Sequence, residues 1–331
     1  MSRNRSIAAL SLVAASGLTL AGCASPAAED AAAEAPAGES RSIQVEDNNG
    51  AHTIELPLRS VVATDNRTFE TLADWGVELT AAAVALMPDT ISYKSDSSIV
   101  DLGNHREPNL EAVVAVEPDL IVNGQRFTEY HDDFVSLAPD AVVLDLEPRE
   151  GEPLDAELAR QVTVLGEIFG KQDEAAALVA ELDEAIARAK AAYDADQTVM
   201  AVTTSGGEIG YIAPGVGRTL GPVFELLGLT PALQVEGASD DHQGDDISVE
   251  AIADSNPDWI LVMDRDAAVA AQDASYKQAS DILENSEALA GVTAVKEGNI
   301  VYMPADTYTN EGIQTYTEFF NALADALEGK G

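Results

Sequence analysis

Short apolar runs alternate with stretches of helical periodicity along most of the chain. The apolar runs predict buried β-strands over Ser60–Thr64, Leu120–Asn123, Ala141–Leu146, Val199–Thr204, Trp259–Met263 and Ile300–Met303. Helices are predicted between them, for example over Thr68–Trp75, before Gly76, and over Leu110–Val116, before Pro118. Strands that alternate with helices are typical of parallel sheets covered by helices, so the pattern indicates an α/β fold.

The longest helical pattern lies in the middle of the chain. Asp155–Phe169 is amphipathic and is followed by Gly170, and the pattern resumes from Gln172 to about Ala195. Apolar side chains recur there at every fourth position, at Leu178, Leu182 and Ile186. About 22 helical residues span ~33 Å. We therefore expect a stiff helical connection that permits little hinge opening between the parts it joins.

One motif occurs twice. In Asn109–Val122 and in Ser248–Leu261, Glu-Ala opens a short helix, Pro-Asp follows the Glu by seven residues, and an apolar strand comes next. The two copies are 250 − 111 = 139 residues apart. Such units can also recur by chance, but the repeat favours two lobes of similar build.

Together these patterns predict two Rossmann-like lobes with parallel sheets, joined by a long α-helix. The expected boundaries are 43–155 for the amino-terminal lobe, 156–195 for the linking helical region and 196–331 for the carboxyl-terminal lobe. Folded sequence is expected to begin near Ile43.

The first 22 residues have the pattern of a secretion signal. Arg3 and Arg5 precede the apolar run Ile7–Ala21, and the segment Leu20–Cys23 resembles the bacterial lipobox. That resemblance implies cleavage before Cys23 and attachment of diacylglycerol to its thiol, which would anchor the protein to the outer face of the cytoplasmic membrane. The alternative is an ordinary signal peptide with a stray cysteine. Residues 23–42 are expected to comprise the lipidated cysteine and a flexible tether.

Composition narrows the classes of partner. The chain carries 18 Lys and Arg against 58 Asp and Glu, a net charge of −40, which excludes a nucleic-acid partner. A single cysteine excludes an internal disulfide framework and a cysteine-based zinc site. The histidines are scattered, at His52, His105, His131 and His242. Neither G-x-S-x-G nor H-E-x-x-H is present, so a secreted enzyme is only a remote alternative.

Three segments carry a resemblance to a known family: Asn104–Glu111, Pro118–Arg126 and Pro257–Arg265. They resemble the iron-siderophore substrate-binding lipoproteins of ABC importers, most closely the catecholate group. The resemblance implies a monomeric receptor that has no permanent cofactor and catalyses no reaction. It would bind a ferric siderophore between its lobes and deliver it to an ABC permease dimer with its ATPase. Receptors for haem, cobalamin or hydroxamate siderophores in the same superfamily are the alternatives.

Three arginines are the candidate ligand contacts. Arg126 and Arg265 each follow a predicted strand, at the carboxyl ends where open α/β sheets bind ligands. The resemblance also implies a ligand arginine at Arg218, in the glycine-rich segment Pro214–Gly221, which lacks the Lys-Ser/Thr of a phosphate-binding loop. Guanidinium is planar, always charged and rich in donors, as catecholate oxygens require. The family usually has Gly-Arg-Gln where this chain has Gly124–Arg126 in the order Gly-Gln-Arg.

Two further side chains are candidate iron ligands. His242 matches a histidine that completes the iron coordination of tetradentate siderophores in some relatives, and a tyrosine from the last segment does the same there. Tyr308 is the candidate and Tyr302 the rival; imidazole and phenolate both suit iron(III). Either role applies only if the siderophore leaves iron positions open. The acids around His242 lack the spacing of an EF-hand and are expected to form a solvated loop.

Glu111 and Glu250 occupy the same place in the two repeated motifs, at the start of a short helix. In the resembling family such a pair, one per lobe, docks onto arginines of the two permease subunits. The alternative is that both are simply favourable residues for the first turn of a helix.

Overall fold

The computed structural model describes residues 41–329. The strands are β1 (Arg41–Asp47), β2 (Gly50–Leu56), β3 (Val61–Ala63), β4 (Ala81–Ala82), β5 (Val100–Asp101), β6 (Gly103–Asn104), β7 (Glu107–Pro108), β8 (Leu120–Asn123), β9 (Val142–Asp145), β10 (Thr198–Ser205), β11 (Glu208–Ile212), β12 (Thr230–Pro231), β13 (Asp245–Asp246), β14 (Trp259–Asp264) and β15 (Ile300–Tyr302). The helices are α1 (Phe69–Asp74), α2 (Leu110–Ala115), α3 (His131–Leu137), α4 (Leu154–Phe169), α5 (Gln172–Ala192), α6 (Gly221–Leu227), α7 (Val249–Ser255), α8 (Arg265–Val269), α9 (Ala279–Glu284), α10 (Thr293–Glu297) and α11 (Ile313–Glu328). Short 3₁₀ turns lie at Val84–Leu86, Ser92–Ser95, Gln125–Tyr130 and Thr307–Thr309.

The first large sheet contains five parallel strands in the order β5-β4-β3-β8-β9. Every residue of β3 and β8 is buried, which explains their continuous apolar sequences, because a parallel sheet is covered on both faces. Three of the predicted strands are therefore confirmed here, with ends that differ by at most one residue.

The second large sheet has the order β13-β11-β10-β14-β15, and β12 pairs with β10. β10, β14 and β15 are parallel, as predicted. The short strand β12, which the sequence analysis did not predict, is also parallel to β10, whereas β11 and β13 run antiparallel to their neighbours. β10 and β11 are joined by Gly206 and Gly207, which have φ of 63° and 84°. Two consecutive residues with positive φ form the tight hairpin turn that glycine favours. The α/β class with parallel sheets is confirmed, and this hairpin is an addition that the sequence pattern did not predict.

The linking region consists of two helices, α4 and α5, separated at Gly170, which adopts the left-handed conformation. Helix α5 packs along α11, and its apolar stripe lies inward, with Leu182 and Ile186 buried. Arg188 extends from α5 to bind Asn321 and Asp325 at 2.9 and 2.6 Å. Side chains from both large sheets and from α4, α5 and α11 belong to one continuous apolar core. This continuity favours the stiff connection that the helical pattern predicts.

The described residues 41–329 belong to one compact unit. We keep the division into lobes at 155 and 196 as a proposal, supported by the separate strand sets of the two sheets. Strand β1 begins at Arg41, two residues before the predicted start near Ile43, and pairs with β2 in an antiparallel hairpin. The predicted signal sequence and the lipidation site at Cys23 lie outside the described residues. No helix between residues 41 and 329 combines the length and apolar content needed to cross a bilayer.

Arg149 lies in the exposed loop between β9 and α4, and its side chain pairs with a buried carboxylate. Its guanidinium and its backbone N–H both bind the carboxylate of Glu157, which is 1 % exposed. Arg160 donates to the same carboxylate at 2.8 Å. Burial alone would raise the pKa of Glu157, but the two arginines lower it to about 2. Arg149 therefore takes part in a structural ion-pair cluster.

We expect Glu157→Ala to lower the free energy of unfolding by about 2–3 kcal/mol at neutral pH, because two arginines lose their buried acceptor. A carboxyl whose pKa is depressed on folding contributes stability above its unfolded pKa of 4.5 and loses that contribution as pH falls toward about 2. The difference in free energy of unfolding between wild type and variant should therefore become smaller as pH falls from 4.5 to about 2. Urea unfolding followed by circular dichroism at several pH values measures this difference. A difference that does not change with pH would contradict the assigned role of Glu157.

Candidate functional site

Tyr308 lies at the centre of the three candidate arginines. The guanidinium carbons of Arg126, Arg218 and Arg265 are 4.8, 5.5 and 4.8 Å from the centroid of its ring. The ring is held by the 3₁₀ turn Thr307–Thr309 and is 5 % exposed. Cations over an aromatic face are attracted by the negative potential of the ring. The structure thus brings together four of the five residues that the sequence analysis proposes for ligand binding.

The arginines reach this point from different elements. Arg126 lies in the 3₁₀ turn that follows β8, and Arg265 is the first residue of α8, directly after β14. Both therefore lie at the carboxyl ends of strands in the two large sheets, as predicted. Arg218 belongs to the glycine-rich loop that precedes α6. The site is consequently built from both halves of the fold.

Two of these guanidiniums carry donors that lack a partner. Arg126 Nη2 and Arg265 Nε are buried and have no hydrogen-bond acceptor among the described residues. A buried donor without an acceptor costs about 1–3 kcal/mol, and more when it is charged. Burial would raise the pKa of Tyr308, but Arg126 and Arg265 outweigh burial and hold that pKa below its ordinary value. The cluster is therefore suited to an oxygen-rich anion that supplies acceptors to both arginines.

The arginines differ in how strongly neighbouring carboxylates engage them. Arg218 Nη2 is 3.4 Å from Glu311 Oε2, and Arg265 Nη1 is 3.2 Å from Asp266 Oδ1. Arg126 makes no ion pair with a carboxylate within residues 41–329. Its displacement by one position in the sequence does not keep it from the cluster, and its charge is the least compensated of the three.

Glu311 and Arg67 are central residues that the sequence analysis missed. Arg67 Nη2 lies 3.5 Å from Glu311 Oε2, and Arg67 Nη1 lies 3.0 Å from Glu147 Oε1. Burial would raise the pKa of Glu311, but Arg218 and Arg67 lower it overall. Arg67 thus connects a carboxylate after β9 with one before α11. The shortage of arginines in this acidic chain was the one signal that could have drawn attention to it.

His242 lies at the edge of the cluster. Its imidazole centroid is 6.5 Å from that of Tyr308, and the side chain is 48 % exposed. Its loop packs closely on β11, since a Cβ on Gly210 would meet the backbone oxygen of Gln243. The rival Tyr302 donates instead to Glu284 at 2.9 Å, and burial together with Glu284 raises its pKa. The geometry therefore favours Tyr308 over Tyr302 as the partner of His242.

Within the described part of the chain, no three His, Cys, Asp or Glu side chains converge on a position that could hold a metal ion. A cavity of about 510 Å³ adjoins the turn that holds Tyr308 and is lined from both halves, including Met87, Ala267 and Thr309. Thr90 Oγ1 donates to Asp306 Oδ2 at 2.6 Å beside it. The cavity therefore lies between the two halves beside the turn Thr307–Thr309, and the three arginines of the cluster are not among its lining residues.

The two glutamates proposed for docking are equivalent in structure. Glu111 is the second residue of α2 and Glu250 the second residue of α7, and both are exposed. Each helix has a side-chain cap: Asn109 accepts from the Ala112 N–H, and Ser248 accepts from the Ala251 N–H. The repeated motif therefore gives the same local structure twice.

A solute-binding fold with its candidate site between two α/β halves agrees with the comparisons to known proteins. Residues 61–307 match the periplasmic binding protein family model Peripla_BP_2, and the chain belongs to that family. It is 28 % identical over 290 residues to the petrobactin-binding protein YclQ of Bacillus subtilis, covering 85 % of this chain and 86 % of the relative.

The chain is also 28 % identical over 308 residues to the ferric-anguibactin-binding protein FatB of Vibrio anguillarum, covering 91 % and 90 %. The solved structure of the periplasmic catecholate-siderophore binding protein VctP of Vibrio cholerae superposes with a TM-score of 0.73. That match covers 87 % of this chain and all of the other at 22 % identity, and it supports the shared fold.

Proposed function

We propose that this protein captures a ferric siderophore, with catecholate groups, in the cleft between its two halves and delivers it to an ABC permease for iron uptake. The observation that carries this proposal is the arginine cluster around Tyr308, in which two guanidiniums each have a buried donor without a partner in the described part of the chain. The named ligands of the two curated relatives, petrobactin and ferric anguibactin, support the same class.

The charge of the chain makes this cluster informative. At a net charge of −40, the protein repels anions at long range, so attraction to an anionic complex must come from local cations. Ferric catecholate complexes are anionic and present planar pairs of oxygens, which guanidinium groups bind with charge-assisted hydrogen bonds. Neutral hydroxamate complexes would leave the same charges uncompensated.

Tyr308 and His242 are proposed to bind iron where the siderophore leaves coordination positions open. Their ring centroids lie 6.5 Å apart with the planes tilted by 39°, and the lowered pKa of Tyr308 favours the phenolate that iron(III) prefers. We further propose that the protein works outside the cytoplasmic membrane, anchored through a lipid on Cys23. On this account it binds its ligand without a chemical reaction.

A titration panel tests the ligand class. The chain, purified without its predicted signal sequence, should show strong fluorescence quenching by ferric tris-catecholate and bis-catecholate complexes, and at least tenfold weaker binding of neutral ferric hydroxamates. Haem and cobalamin serve as the other members of the panel. Equal or tighter binding of a neutral hydroxamate complex, or of haem or cobalamin, would overturn the catecholate assignment.

A further inference from the structure

The turn that carries Arg126 has an unusual backbone. Gln125, the residue just before it, has a φ of 53°, in the left-handed region that residues other than glycine seldom adopt. Arg126 still reaches Tyr308, with its guanidinium carbon 4.8 Å from the ring centroid. The left-handed residue therefore sets the direction in which the following side chain leaves the turn.

Close contacts hold this turn on both sides. The backbone N–H of Gln125 donates to Glu147 Oε1 at 2.6 Å. On the other side, a Cβ on Gly124 would lie 2.7 Å from the carboxylate carbon of Asp65. Asp65 is itself fixed, because its oxygens accept from Gln161 Nε2 at 3.0 Å and from the backbone N–H of Arg67 at 2.9 Å. The turn consequently has little room to relax.

The same device occurs at Arg218. Thr219, the residue after it, has a φ of 66°, and its hydroxyl donates to Glu311 Oε1 at 2.6 Å. A β-branched residue in this region is a clear backbone outlier. Arg67 pairs with both glutamates, at 3.0 Å to Glu147 and 3.5 Å to Glu311. Glu147 thus holds the left-handed Gln125 beside Arg126, and Glu311 holds the left-handed Thr219 beside Arg218. Arg67 joins the two glutamates.

We infer that Glu147 is a positioning residue for Arg126: its hydrogen bond to the Gln125 backbone keeps the turn left-handed and aims the arginine at the ligand. This inference rests on the proposed function, in which Arg126 binds the siderophore. Outliers of this kind persist only where the surrounding structure maintains them. Without the acceptor, Gln125 would return to negative φ and Arg126 would leave the cluster, although its charge would remain in the protein.

A double-mutant cycle with a ferric tris-catecholate complex tests this inference by fluorescence quenching. Arg126→Ala is expected to weaken binding about tenfold or more, and Glu147→Ala to weaken it nearly as much. In the Arg126→Ala background, Glu147→Ala should change affinity by less than about twofold, whereas in the Arg265→Ala background it should keep its full effect. Glu147→Gln retains an acceptor oxygen and should bind within about threefold of wild type.

A second pair of substitutions avoids removing Glu147. Gln125→Pro removes the backbone N–H that donates to Glu147 and fixes φ at about −65°, so it should lose affinity as Arg126→Ala does. Gln125→Gly tolerates positive φ and keeps the N–H, so it should bind within about threefold of wild type. Circular dichroism spectra and melting curves establish that each variant is folded.

The outcomes separate the two ideas. If Arg126→Ala binds like wild type, the proposed contact and the positioning role both fail. If Arg126→Ala weakens binding but Glu147→Ala has equal effects in both backgrounds, or Gln125→Pro binds normally, the positioning role alone is overturned.

Discussion

Replacing Arg126 and Arg265 together by alanine is expected to weaken binding of a ferric tris-catecholate complex by at least about a hundredfold. Each guanidinium has a buried donor without an acceptor among residues 41–329, so a ligand at these donors gains hydrogen bonds without breaking existing ones. Charge-assisted hydrogen bonds contribute about 1.5–3 kcal/mol each, and 1.4 kcal/mol is tenfold in affinity. Because both side chains surround one ring, their effects need not add. Fluorescence-quenching titrations of the two single variants and the double variant measure the loss.

Arg218→Ala should behave differently from these two variants. Arg218 shares Glu311 with Arg67, so its removal leaves a buried carboxylate with one fewer cation. We expect a smaller loss of affinity together with a fall in melting temperature.

Arg59→Ala is the matched control for the loss of one positive charge. Its side chain is 85 % exposed, and it precedes the amino end of β3, at the opposite end of the strand from the site. Arg59 pairs with Asp119 at the surface, whereas Arg149 pairs with the buried Glu157, so Arg149→Ala would affect stability as well as charge. If the Arg126 and Arg265 double variant bound as tightly as Arg59→Ala, the cluster could not be the ligand site.

The sequence predicts the central strands well because both sheets are buried on both faces. Continuous apolar runs such as Leu120–Asn123 then have no competing interpretation as amphipathic strands, and each is followed or preceded by a helix with a clear stop signal. Two-residue strands such as Ala81–Ala82 show no periodicity at all, and their pairing depends on neighbours far along the chain. Strand β1, Arg41–Asp47, alternates polar and apolar residues. Its first two residues nevertheless fall within the predicted tether, because the residues before them are rich in Ala, Glu and Pro.

The arginines of the site were predictable because each is tied to a strand end or a glycine-rich loop, which are local signals. The residues that hold these arginines in place were not predictable. Arg67, Glu147 and Glu311 meet through side chains that are up to 244 residues apart, from 311 − 67, and nothing in the local sequence of any one of them marks the partnership. The left-handed backbone of Gln125 was likewise hidden, because glutamine carries no preference for that conformation.

The largest effect on transport is expected from reversing the charge of Glu111 and Glu250 together. Both are exposed at the second position of a capped helix, one in each half of the fold, so they are a matched pair of surface carboxylates. Their proposed partners are arginines on the two permease subunits. Surface charges of this kind govern encounter and orientation between proteins more than the affinity of a separate ligand site.

Glu111→Arg with Glu250→Arg should therefore leave ferric siderophore binding by the purified protein unchanged and abolish iron import by cells. Import of radiolabelled iron and quenching titrations are measured on the same variants, with surface abundance checked by immunoblot. Glu181→Arg with Glu184→Arg is the matched control, because it changes the net charge equally on exposed positions of α5. At the docking pair, the introduced arginines would repel the permease arginines, whereas the α5 substitutions would not face them. Normal import by the Glu111 and Glu250 variant at normal abundance, or equal loss in the α5 control, would remove the docking role from these two glutamates.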